Sequence, residues 1–195
     1  MIAASTVLLL VGCTPEAAPT VLPTAAVEQA GSTDFEADEF VVGVREWNLG
    51  ETLAWNARDF TIDPLTDSVS AERIDELYGQ LSAYATRDLH PDVFVGPLIW
   101  APLSVTVTGA TAEIEACVAS QDRKVEEGNE ETTFELTDGE LQVWTVEKST
   151  GGLFEITDTA GSAESCDASA AEVVTFDPAP TRPDAIAESD IRPPA

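Results

Sequence analysis

Reactive side chains are scarce in this chain, and their spacing narrows the chemistry before any element is assigned. There are three cysteines, Cys13, Cys117 and Cys166, and one histidine, His90. A single imidazole excludes a histidine-based zinc site in practice. No Ser-His-Asp pattern, phosphate-binding glycine loop, dinucleotide fingerprint or H-E-x-x-H stretch is present. His90 precedes Pro91 where a helix is expected to end, a position for a surface or capping role. The segment from Asp122 to Glu131 is rich in carboxylates and contains Gly128, but it lacks the alternating Asp/Asn and terminal Glu of an EF-hand loop. No metal ligands and no cofactor are assigned.

Cys13 closes a run from Ile2 to Gly12 that is apolar or small except for Ser5 and Thr6. The run is shorter than the roughly 20 residues that span a bilayer and has the length of a signal-peptide core. Leu10-Val11-Gly12-Cys13 resembles the lipobox of bacterial lipoproteins. The resemblance implies cleavage before Cys13, a diacylglyceryl group on its thiol, and an extracytoplasmic protein anchored to the cell membrane by an N-terminal lipid. Met1-Ile2-Ala3-Ala4 lacks the basic residues that usually precede such a run, as expected if the true start lies upstream. With Cys13 acylated, Cys117 and Cys166 remain as an even pair in an oxidising compartment and read as a disulfide, the alternative being two free buried thiols.

The chain has 195 residues, 36 acidic against 9 basic, and a net charge of −27. Phosphate recognition needs clustered Lys and Arg, so nucleic acid is excluded as a partner. The hydrophobic fraction of 44% is enough for one core. Residues 1–12 are read as the signal peptide, 13–37 as a flexible Thr/Ala/Pro/Glu linker, 38–176 as the globular domain and 177–195, with five prolines, as a disordered tail. As random coil the linker spans about 25–30 Å.

Within the domain, Phe40, Val41, Val44 and Trp47 follow a helical spacing, but Gly43 and Gly50 suggest one broken or two short helices. Asp63-Pro64 and Asp67-Ser68 mark a loop. The strongest helix runs from Ser70 to about Arg87, with Ser70 as N-cap and Ile74, Leu77, Tyr78, Leu81, Tyr84 and Ala85 as one stripe. From Val93 the period alternates. Strands are expected at Val93–Val95, Leu98–Trp100, Leu103–Val107, Thr111–Ala119, Thr132–Leu136, Leu141–Glu147 and Leu153–Thr157, with turns at Gly109-Ala110, Asp138-Gly139 and Gly151-Gly152. Beyond Thr159 the chain loosens around Cys166, and Ala171–Phe176 is a candidate edge strand.

Helices followed by a curled antiparallel sheet make an α+β domain. The helix carrying Tyr84 is placed to fill the concave face of the sheet. That helix, the run Val107 to Ile114 and the strands Gly139–Trp144 and Gly152–Ile156 resemble the NTF2-like, SnoaL-type cone superfamily over about Val42 to Thr159. The helix usual between early strands of that superfamily is not found between Val93 and Val107. The resemblance implies a carboxylate base and a donor inside the cone. Asp92 or Asp88 could serve as base, with Tyr84, Tyr78 or His90 as donor, and no spacing rule selects among them. Trp100 and Trp144 could line a pocket, although aromatic residues in strands usually pack.

Two functions lead, with an accessory cation-binding protein as a third. The first is a non-catalytic, surface-anchored module that binds an envelope protein or small molecule. The alternative is an isomerase-type enzyme using a carboxylate in the cone.

Overall fold

A computed structural model describes residues 20–87, 91–120, 136–182 and 186–195. It is α+β, with helices packed on an antiparallel sheet. In chain order come β1 (Thr24–Gln29), α1 (Glu39–Ala57), α2 (Asp63–Thr66), α3 (Ala71–Thr86), β2 (Trp100–Thr108), β3 (Thr111–Ala119), β4 (Gly139–Lys148), β5 (Phe154–Cys166), β6 (Val173–Asp177) and a 3-10 turn at Glu188–Asp190. Strands β2-β3-β4-β5 form a four-stranded meander, and β1 pairs with β6 in a separate ribbon.

Helix α1 begins at Asp38, whose carboxylate accepts the Phe40 N–H at 2.9 Å. It ends at Arg58, which takes a left-handed φ of 57°. It is one continuous helix, not the broken pair its glycines suggest. Those glycines serve packing. A Cβ on Gly43 would come within 2.1 Å of the Phe154 ring, and one on Gly50 within 2.5 Å of the Pro64 carbonyl oxygen. The gain in close packing outweighs the roughly 1 kcal/mol helix penalty of each glycine. Asp63-Pro64, expected in a loop, opens the single turn of α2. Helix α3 has Ser70 as its cap and buries Ile74, Leu77 and Leu81, as its periodicity requires.

The two long helices have different partners. Phe40, Val41 and Val44 of α1 sit on Ile114, Ala116, Trp144 and Val146 of the sheet. Helix α3 does not cover the sheet. Its stripe packs instead against Leu53, Phe60, Leu65, Phe176, Ile186 and Ile191. A periodic stripe states that one face is buried but not against what.

The described parts of the expected linker and tail include segments bound to the fold. Residues 24–29 of the expected linker pair with β6, Thr24 opposite Asp177 and Ala25 opposite Phe176. The Gln29 amide donates to the carbonyls of Ser169 and Ala171 at 2.9 and 2.7 Å. In the expected tail, Ile186 and Ile191 are each 5% exposed, and the Arg192 carbonyl accepts the Phe60 N–H at 3.1 Å. Low apolar content marks a segment that cannot fold alone. It does not prevent that segment from being bound by a surface formed elsewhere.

The sheet also corrects the turn assignments. Gly109-Ala110 and Gly151-Gly152 turn as expected, with Gly109 and Gly152 at φ 67° and 88°. Asp138-Gly139 makes no hairpin, because Gly139 is already in β4, opposite Ala119 on one side and Cys166 on the other. A Cβ there would lie 2.6 Å from the Cys117 sulfur, so the glycine is required by the bridge beside it. Strand β5 runs on through Thr159 to Cys166 as an edge strand. Val93–Val95 and the residues up to Ile99 are not part of the four-stranded sheet, whose first strand starts at Trp100. The expected strand at Thr132–Leu136 and the acidic segment Asp122–Glu131 fall wholly or mainly outside the described residues, as do Cys13, Asp88 and His90.

Candidate functional site

Cys117 on β3 and Cys166 at the end of β5 are joined, with 5.9 Å between their Cα atoms. The pairing expected from the cysteine count is present. Cys117 is fully buried among Ile99, Ala101, Ala168, Ala171 and Val173. The bridge therefore ties β3 to the end of β5 beside Gly139 of β4, just before the segment that leads into β6.

Of the residues expected to act as base or donor, Asp92, Tyr78 and Tyr84 lie among the described residues. Asp92 and Tyr84 both contact Trp55. The Trp55 indole N–H donates to the backbone carbonyl of Asp92 at 2.9 Å, so the main chain makes this contact and not the carboxylate. The Tyr84 ring meets Trp55 edge-on at 5.9 Å. Tyr78 packs edge-on against Phe60 at 5.7 Å. Both tyrosines are parts of the helical core. Between α1 and the sheet, Trp100 and Trp144 stack edge to face at 4.8 Å, each almost fully buried. Phe40, Val44, Ile114 and Val146 pack around this pair.

A cleft of about 120 Å³ opens beside this pair, lined by Asn48 and Leu49 of α1, Pro97, Leu98, Trp100 and Val174. Arg45, Glu46 and Glu172 complete its wall. The Arg45 guanidinium lies 4.6 Å over the Trp100 ring and pairs with Glu36 at 2.6 Å and Glu172 at 3.4 Å. Val27 is directly opposite Val174 in the ribbon, shares its face and is 60% exposed. The volume suits one side chain of a partner, well below the roughly 300 Å³ at which small-molecule pockets begin. The cleft offers apolar contact and ion pairing. Sequence reasoning missed Arg45 because its partners come from positions 36, 100 and 172. The available signal was a cation on α1 in a chain with so few of them.

A second polar node binds the two chain ends together. Asp59 follows α1 and is 3% exposed. Its carboxylate accepts the Thr20 hydroxyl, the Thr61 hydroxyl at 2.7 Å and the Thr61 N–H at 3.0 Å, and it pairs with Arg192 at 3.3 Å. Burial pushes its pKa upward, but the bonds from Thr20 and Thr61 and the charge of Arg192 outweigh that and hold it below the ordinary aspartate value. A depressed folded-state pKa contributes stability above the unfolded value of about 3.9, and that contribution is lost as pH falls through the lower, folded-state value. Asp59→Asn should therefore melt below the wild type at neutral pH, with the gap closing below about pH 4. Thermal unfolding of both proteins from pH 7 to pH 2.5 reads this directly; a gap that persists in acid would contradict it.

No protein-family model, curated protein or solved structure matches the chain.

Proposed function

We propose that this chain is a lipid-anchored, extracytoplasmic binding module, acylated on Cys13, that engages an envelope partner without catalysis. The observation that carries the reading is the Cys117–Cys166 bridge, because disulfides persist in oxidising compartments and are rare in cytosolic proteins. It agrees with the Leu10-Val11-Gly12-Cys13 sequence, whose resemblance to a lipobox implies the same compartment. The charge of −27 suits a solvated domain held apart from its neighbours.

The domain is best read as a filled relative of the NTF2-like cone. Support comes from the antiparallel meander with α1 seated on one face. The Trp100–Trp144 pair occupying that interface favours binding over the isomerase-type alternative, which needs a carboxylate there. The cleft at Arg45 and the exposed sheet face remain as surfaces for a partner.

Cys13→Ser tests the anchor. Expressed from its genuine start, the variant should move almost entirely from the membrane fraction to the soluble or secreted fraction, as expected when the acyl chains are lost. Retention of the serine variant on membranes at the wild-type level would reject lipidation at this residue.

A further inference from the structure

We propose that the anchored domain stands on the lipid bilayer by its helical end and holds the acidic face of the four-stranded sheet away from the membrane. The proposal rests on the acylation of Cys13 argued above. The Thr20 hydroxyl is bonded to the buried Asp59 carboxylate, so only residues 14–19 separate Cys13 from a held position. Fully extended, the span from Cys13 to Thr20 is at most about 25 Å, and the linker expected to run to residue 37 is shortened by more than half.

Asp59 lies just past the C-terminal end of α1, whereas α1 touches the sheet through Phe40, Val41 and Val44 near its other end. At 1.5 Å per residue the two places are about 25 Å apart. The tether therefore leaves the molecule at the end remote from the sheet. Val21, the first residue after this attachment, is 93% exposed, an apolar side chain placed where the lipid headgroups would be.

Charge points the same way. Register places Glu113, Glu115, Glu147, Glu155 and Asp158 on the sheet face opposite Trp144. At the tether end, Arg58 and Arg192 stand with Asp59, Asp63, Glu188 and Asp190, so cations offset part of the local charge. Near an anionic bilayer, where the surface potential acts within about 8 Å, the sheet face is repelled more strongly than the helical end. The orientation leaves the carboxylate face open to a cationic partner in solution.

The test couples the mature chain, residues 13–195, through its one free thiol to a maleimide lipid in nanodiscs of phosphatidylcholine and phosphatidylglycerol. Paramagnetic lipid is then added and amide relaxation is read by NMR. Enhancement at Val21, Arg58 and Arg192 should exceed that at Val107 to Thr111, around the β2–β3 turn, by at least about fivefold, given their separation along α1. Equal enhancement at both ends, or a larger effect at the turn, overturns the orientation. Because the anchor here is attached chemically, that failure would leave natural acylation of Cys13 to be judged on its own measurement.

Discussion

Cys117→Ala with Cys166→Ala lowers the stability of the domain by about 4 kcal/mol, the chain-entropy value for a loop of this length. The bridge closes a sequence separation of 49 residues. That loop contains β4 and most of β5, so an unlinked denatured chain gains the freedom of half the sheet. Alanine is the proper replacement, because a serine hydroxyl at the fully buried Cys117 would be left without a partner and add its own penalty. For a chain of this size the loss corresponds to a fall of about 10 °C in Tm. Urea unfolding of the double alanine variant against the oxidised wild type measures it. A difference below about 1 kcal/mol would mean that the paired β4–β5 edge already holds Cys166 in place.

Deleting residues 183–195 has an effect of similar size. A free proline-rich tail could be removed within about 0.5 kcal/mol. In this fold the deletion strips Ile186 and Ile191 from the helical core, each 5% exposed, and takes Arg192 from the Asp59 carboxylate. Large-to-small changes at buried isoleucines cost about 2–5 kcal/mol each, so the truncated chain should lose at least about 4 kcal/mol. The Phe60 N–H also loses its carbonyl partner at Arg192. Ile186→Ala with Ile191→Ala, in the full-length chain, separates the packing loss from the loss of the ion pair. Wild-type stability in the truncated chain would restore the picture of an unattached tail.

What could be read from the chain was local. The α3 stripe and its Ser70 cap, the turns at Gly109-Ala110 and Gly151-Gly152, and the pairing of Cys117 with Cys166 each depend on nearby spacing or on counting. What escaped were contacts between distant segments of low apolar content. Nothing in Thr24–Gln29 announces a partner about 150 residues away, and two isoleucines among prolines do not resemble a core element. Gly43, Gly50 and Gly139 misled for one reason: a glycine needed for close approach looks the same in sequence as a glycine that breaks a helix or makes a turn. The candidate site was hidden likewise. Asp92 and Tyr84 each meet Trp55 in packing contacts, whereas Arg45 draws partners from positions 36, 100 and 172 and Asp59 from Thr20 and Arg192.

A lipid-anchored module requires Cys13 to be the lipidated first residue of the mature protein. The most direct measurement is the intact mass, with N-terminal fragmentation, of the protein extracted from the membranes of its own cells without reductant. The expected species starts at Cys13, carries a diacylglyceryl group on that residue, and keeps Cys117 and Cys166 oxidised to each other. A species that extends upstream of Cys13 with an unmodified thiol would contradict the account.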